Sequence, residues 1–163
     1  MTTEPHRRGI LAGLAAGVSG LLFGCRDADA KVPARFPLTL SDAEWRKKLS
    51  PAAYEVLRRE GTERPGSSAL NAEKRRGVFG CAGCGQRLFA SSTKFESGTG
   101  WPSFWAPIEG ATGTTTDRKM FIARTEVHCS RCGGHLGHVF DDGPAPTGKR
   151  YCMNGAAMTF RAA

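Results

Sequence analysis

The sequence lacks an uncharged run long enough to cross a bilayer in comfort. From Gly9 to Phe23 no residue is charged, but fifteen residues fall short of a spanning helix. It lacks the length for two domains, since 163 residues suffice for one with a real core. It lacks internal repeats beyond two short cysteine pairs. It also lacks a clustered basic patch. The formal net charge is +8, yet lysine and arginine are scattered, which reads as a solvated surface rather than a footprint for nucleic acid or anionic lipid. Twenty-one glycines and nine prolines work against long helices and favour short strands joined by turns.

Arg7-Arg8 stand before the uncharged stretch and together resemble a twin-arginine export signal. A buried N-terminal helix is the plainer reading, and Gly9, Gly13, Gly17, Gly20 and Gly24 count against it. Two cleavage sites compete. Leu22-Phe23-Gly24-Cys25 resembles a lipobox, in which Cys25 becomes a lipidated first residue. Ala28-Asp29-Ala30 fits the small-x-small pattern, with Lys31 as the new N-terminus. Both predict export to the periplasm, the first as a membrane-anchored lipoprotein. The expected layout is an export signal over 1–30, a linker over 31–40 and one domain over 41–163.

Ser41 to Glu44 forms a capping box, so a helix is expected from Asp42 to about Leu49. Ser50-Pro51 opens a second helix, ended by Gly61. Gly66 to Glu73 reads as loop. Short apolar runs then predict strands at Val78–Phe79, Leu88–Phe89, Phe121–Thr125, His138–Phe140, Arg150–Asn154 and Met158–Phe160.

Cysteine is scarce, six in all, yet four fall into Cys81-x-x-Cys84-Gly85 and Cys129-x-x-Cys132-Gly133. Two residues between cysteines let both sulfurs face one ion, and the glycine permits the tight turn. Two disulfides, or redox-active dithiols, are the alternatives in an oxidising compartment. One shared zinc explains two identical knuckles more simply. Four cysteines close the site, so such a zinc is structural. Forty-four residues separate Cys84 from Cys129, more than a small nucleic-acid-binding finger holds.

Cys152 stands apart. On a strand, Arg150, Cys152 and Asn154 share one face while Tyr151 and Met153 share the other. A neighbouring cation favours the attacking thiolate. A buried cysteine acting as a small hydrophobe is the plainer reading, and an arginine and an asparagine are poor company for it. His135 and His138 would face opposite sides of a plain strand, but a bulge at Gly137 would turn both inward. Histidine donates protons near neutral pH. Trp101, Phe104 and Trp105 lie in the Gly-rich stretch Ser97 to Trp105, as core or as the wall of an apolar pocket.

Five features together resemble the B-type methionine-R-sulfoxide reductase family. They are Gly61–Pro65 (GTERP), Lys94–Phe104 (KFESGTGWPSF), Arg124–Cys152, Asn154 and the two knuckles. The resemblance runs from about Ser41 to Phe160. It implies a mainly β fold of two antiparallel sheets, a β-tent, with short N-terminal helices. It implies a structural zinc on Cys81, Cys84, Cys129 and Cys132, opposite the active site. It makes Cys152 the nucleophile, with His135, His138, Asp142, Arg150 and Asn154 around it. Trp101, Phe140 and Thr99 go with the substrate, Trp101 against its methyl group. The implied reaction reduces the R epimer of methionine sulfoxide in proteins and leaves Cys152 as a sulfenic acid.

Two departures from that pattern stand out. Many relatives carry a resolving cysteine where this chain has Thr99, so a thioredoxin-like donor or a small thiol is expected to reduce Cys152 directly. Relatives commonly carry Ile, Ser and Ser where this chain has Met153, Gly155 and Ala157, so a serine hydroxyl near the nucleophile is missing. The chain is expected as a monomer that binds no nucleic acid. Two other functions compete: a zinc module whose basic surface holds nucleic acid or an acidic partner, and a thiol–disulfide oxidoreductase built on the Cys-x-x-Cys pairs without zinc.

Overall fold

In the computed structural model, residues 36–119 and 123–163 are described. The export signal, both cleavage sites and the linker as far as residue 35 lie outside them. Among the described residues, no helix is long and apolar enough to cross a membrane.

Both helices begin where their caps dictate. At α1 (Asp42–Lys48) the Ser41 hydroxyl accepts from the Glu44 amide and the Glu44 carboxylate accepts from the Ser41 amide. At α2 (Pro51–Arg59) Ser50 caps and Pro51 takes the first position, where its missing N–H costs nothing. The left-handed residue that ends α2 is Glu60, not Gly61. Trp45, Tyr54, Val56 and Leu57 bury one side of this helix pair.

Among the described residues nine strands follow: β1 (Gly77–Cys81), β2 (Arg87–Ala90), β3 (Lys94–Phe95), β4 (Ser103–Phe104), β5 (Thr112–Asp117), β6 (Arg124–Cys129), β7 (His135–Phe140), β8 (Arg150–Met153) and β9 (Met158–Ala162). They form two antiparallel sheets. One has the order β2-β1-β9 and the other β3-β4-β8-β7-β6-β5. The mainly β architecture with short N-terminal helices is therefore as expected. Phe79, Phe89 and Phe104 fill the space between the sheets. Phe89 stacks on Phe104 at 4.3 Å and Phe79 meets it edge-on at 4.9 Å. Burying each such ring contributes about 1.5–3 kcal/mol.

Further features differ from the sequence reading, among them the two-residue strands β3 and β4, too short to show a pattern. The segment from Gly66 to Glu73 holds a 3-10 turn at Ala69–Ala72. Strand β5 was not expected, because its TGTTTD run carries no apolar residue; its β-branched threonines were the available signal. The strand expected from Phe121 begins outside the described residues, and its described part, β6, runs on to Cys129.

Candidate active site and metal centre

Strand β8 carries Cys152 between two partners. Ser103 of β4 lies opposite it on one side and His138 of β7 on the other. The alternation is as expected: Met153 is fully buried and the Tyr151 ring packs against Phe89, while Cys152 opens to a cleft. That cleft, of about 140 Å³, is lined by Thr62, Trp101, Arg124, Gly137, His138, Phe140, Cys152 and Asn154.

The register between β6 and β7 slips by one residue, with Val127 opposite Gly137 and His128 opposite His135, so Leu136 is the extra residue. The bulge thus sits beside Gly137. It places the His135 and His138 rings 5.4 Å apart, edge to face. Gly137 itself admits no side chain, since a Cβ there would lie 2.2 Å from the Cys152 carbonyl oxygen.

The two histidines differ. His138 reaches the cleft, and its Nε2 lies 2.8 Å from Asp117 Oδ2. Asp117 also accepts from the Lys119 amide at 2.9 Å and from Arg124 Nη2 at 2.6 Å. The Lys119 amide, His138 and Arg124 hold the Asp117 carboxyl well below the usual carboxylate range. Facing a carboxylate, His138 Nε2 carries a hydrogen, which leaves Nδ1 to exchange protons. Burial pushes His138 below its ordinary value, and Asp117 opposes that shift. His135 is buried behind, its Nδ1 2.8 Å from Glu126 Oε1 and its Nε2 without a partner. It holds Glu126 below its ordinary value. His135 is not among the residues lining the cleft.

Arg150 forms a two-pronged pair with Asp142, at 2.8 Å on each prong, and stacks 4.5 Å over the Phe140 ring. Asp142 is exposed, and neither it nor Arg150 is among the residues lining the cleft; Phe140, under Arg150, is. Thr99 lies 3.8 Å from Cys152 Sγ through its hydroxyl. Asn154 is buried. Its amide nitrogen donates to the Leu136 carbonyl at 3.0 Å and its carbonyl accepts from the Glu63 amide at 3.0 Å.

Away from this cleft the four paired cysteines converge. Their sulfurs lie within 4.8 Å of one another, with Cys81–Cys132 at 3.7 Å and Cys84–Cys129 at 3.5 Å. A tetrahedral ion with bonds of about 2.3 Å holds its sulfurs about 3.8 Å apart, so the donor set fits. In each knuckle the glycine is left-handed, and its amide donates back to the first cysteine's carbonyl, Gly85 to Cys81 at 2.8 Å and Gly133 to Cys129 at 2.9 Å. Hydrogen bonds among the four thiols split their titrations, Cys81 and Cys132 upward, Cys84 and Cys129 downward. The sulfurs are free rather than joined as disulfides.

A family profile described as the SelR domain matches residues 49–162. The chain belongs to the SelR family. It is 57% identical over 122 residues to the peptide methionine sulfoxide reductase MsrB of Methanosarcina barkeri, covering 74% of this chain and 86% of that protein. It is 48% identical over 127 residues to the MsrB of Leptospira interrogans, covering 77% and 97%. The MsrB of Agrobacterium fabrum is 50% identical over 121 residues, covering 74% and 90%.

Within this SelR domain four residues matter that the sequence reading gave no role. Glu63 is the most connected. Its carboxylate accepts from the Gly155 amide at 2.5 Å and the Ala156 amide at 3.0 Å, and its carbonyl accepts from Trp101 Nε1 at 3.1 Å. It thus fixes both the cleft wall and the turn after Cys152. Thr62 lines the cleft beside it. Both lie in the GTERP stretch, which was the available signal. Arg124 also lines the cleft, and Asp117, on the unexpected β5, holds both Arg124 and His138. Gly155 has a local cause. A Cβ there would lie 2.0 Å from Ser68 Oγ, so the Ser68 side chain fills the space a serine at 155 would need.

Proposed function

We propose that this chain is a thiol-dependent peptide-methionine (R)-S-oxide reductase acting on protein-bound sulfoxide. The observation that carries the reading is Cys152 lining one cleft with Trp101 and directly across the ladder from His138. The Cys152 thiolate attacks the sulfoxide sulfur, and His138, oriented by Asp117, protonates the departing oxygen. That oxygen passes to Cys152 as a sulfenic acid, and methionine leaves with the electron pair. Trp101 and Phe140 take the apolar methyl side while the polar groups take the oxygen, a three-point placement that separates the R from the S epimer.

Cys152 is the only described cysteine outside the four-sulfur cluster. A thioredoxin-like or small external thiol therefore attacks the sulfenic acid and releases water; a second thiol releases Cys152 and leaves the donor as a disulfide. The cluster holds structural zinc, which when bound cross-links the β1–β2 and β6–β7 turns. Export, read from Arg7-Arg8 and the uncharged stretch after them, places the repair in the periplasm. The lipid anchor at Cys25 belongs to the lipobox reading.

The test is reduction of the two separated epimers by the chain from Lys31 onward, with dithiothreitol as donor, beside Cys152→Ser. Turnover of the R epimer alone, lost in the variant, supports the reading. Turnover that survives Cys152→Ser sinks it.

A further inference from the structure

A file of hydroxyls leads away from Cys152 into the protein. Thr99 Oγ1 lies 3.8 Å from the sulfur. Ser97 Oγ is 2.8 Å from Thr99 Oγ1, and Ser103 Oγ is 2.7 Å from Ser97 Oγ. Ser103 Oγ ends the file on the Trp101 carbonyl at 3.1 Å. Ser103 is fully buried and sits opposite Cys152 in the β4–β8 ladder. Gly98 and Gly100, both left-handed, fold the loop so that Thr99 turns back toward the sulfur.

Counting protons along this file gives it a direction. It has four links. With Cys152 as a thiol, four hydrogens are available, and every link is filled by donation outward, from sulfur to Thr99, to Ser97, to Ser103, to the Trp101 carbonyl. With Cys152 as a thiolate, three hydrogens remain. Either direction then fills three of the four links, and the reversed one, with Ser103 donating to Ser97, Ser97 to Thr99 and Thr99 to the sulfur, is the one that gives the charged sulfur a donor. The carbonyl of Trp101 gives up its partner. No side chain needs to change its rotamer; three hydroxyls rotate.

We infer that Thr99 is a catalytic residue whose hydroxyl donates to the Cys152 thiolate, with Ser97 and Ser103 as positioning residues that make the donation reversible. A hydrogen bond to an ionised acceptor is about twice as strong as a neutral one, so the reversed file favours the attacking form. The file also ties the charge on sulfur to the backbone of Trp101, whose ring walls the cleft. A threonine at this position thereby does more than replace a thiol.

The inference rests on Cys152 as the nucleophile, and its test does not require turnover. The rate of Cys152 alkylation by iodoacetamide is measured near neutral pH on the full chain with metal bound, by mass spectrometry of the Cys152 peptide. Thr99→Val is expected to slow alkylation about tenfold and Thr99→Ser to restore it. Ser97→Ala is expected to slow it about threefold, and the Thr99→Val/Ser97→Ala double variant to match Thr99→Val alone. Wild-type reactivity in Thr99→Val, failure of Thr99→Ser to restore it, or multiplying losses in the double variant would overturn the inference. Should Thr99→Val lose its cooperative melt, Thr99→Ala carries the same comparison. Turnover of Cys152→Ser tests the nucleophile separately, so failure of the hydroxyl file is distinguishable from failure of the reductase reading.

Discussion

The knuckle end and the cleft end both depend on cysteine, and they are built in opposite ways. Each knuckle is local: two cysteines and a glycine within five residues set the geometry, and long-range folding only brings two such units together. The cleft is assembled from five separate stretches, around Thr62, Trp101, Arg124, His138 and Cys152. The knuckle end is closed by its own sulfurs. The cleft is left open and held in shape by the buried Asn154 and by the half-buried Glu63, whose carboxylate ties down the turn after Cys152. A closed site serves stability, and an open one needs a rigid frame around it.

The proposed structural zinc offers the sharpest way to break the comparison, by its removal. Structural zinc in small finger peptides is worth about 10–16 kcal/mol, while whole domains are stable by about 5–15 kcal/mol. Cys81→Ser or strong chelation is therefore expected to abolish the cooperative melt and turnover together. Circular dichroism with metal analysis checks this, and a chelated protein that keeps its full Tm contradicts it.

Next in size are changes at the cleft that leave the knuckles alone. His138→Gln is expected to lower kcat about 100-fold with metal content and Tm kept, and Asp117→Asn about tenfold. Equal losses of turnover and metal in either variant would show that the two ends are not separable.

Gly155→Ser is expected to destabilise the chain by about 2 kcal/mol, because its Cβ meets the Ser68 hydroxyl. Adding Ser68→Gly should recover most of that loss in denaturant melts. If the single variant is neutral, the Ser68 side chain swings away without cost.

The smallest effect is on acid stability. Burial pushes His128 and His138 below their ordinary value of 6.5, so below that pH the unfolded chain binds more protons than the folded one. Stability is complete above about 6.5 and declines as pH falls. The lowered carboxyls of Asp117 and Glu126 add to the loss at lower pH. His138→Gln should flatten the first part of the decline, as read from Tm against pH; an unchanged slope removes His138 from the account.

The same contrast governs what the sequence made legible. The helices announced themselves through Ser41, Glu44, Ser50 and Pro51, whose caps act within four residues. The knuckles and the Arg150–Asn154 alternation were visible for the same reason. A bulge was readable from the odd spacing of two histidines around a glycine, though its extra residue proved to be Leu136. Asp117 was not readable. It lies 21 positions from His138, on a threonine strand with no apolar pattern, and only the β5–β6–β7 pairing brings the two together. Glu63 was hidden differently: the GTERP stretch marked its place, but its carboxylate's partners are backbone amides, which leave no mark in a sequence.

Cys152 sits in mid-ladder, paired on both sides, rather than on a swinging loop. Its sulfur cannot be carried outward to meet a bulky partner. On the proposed reading, whatever restores it delivers a thiol on a slender tip or as a free small molecule, into a cleft of about 140 Å³. The entrance that selects what is repaired therefore also selects what does the recharging, and widening it for one visitor would admit the other.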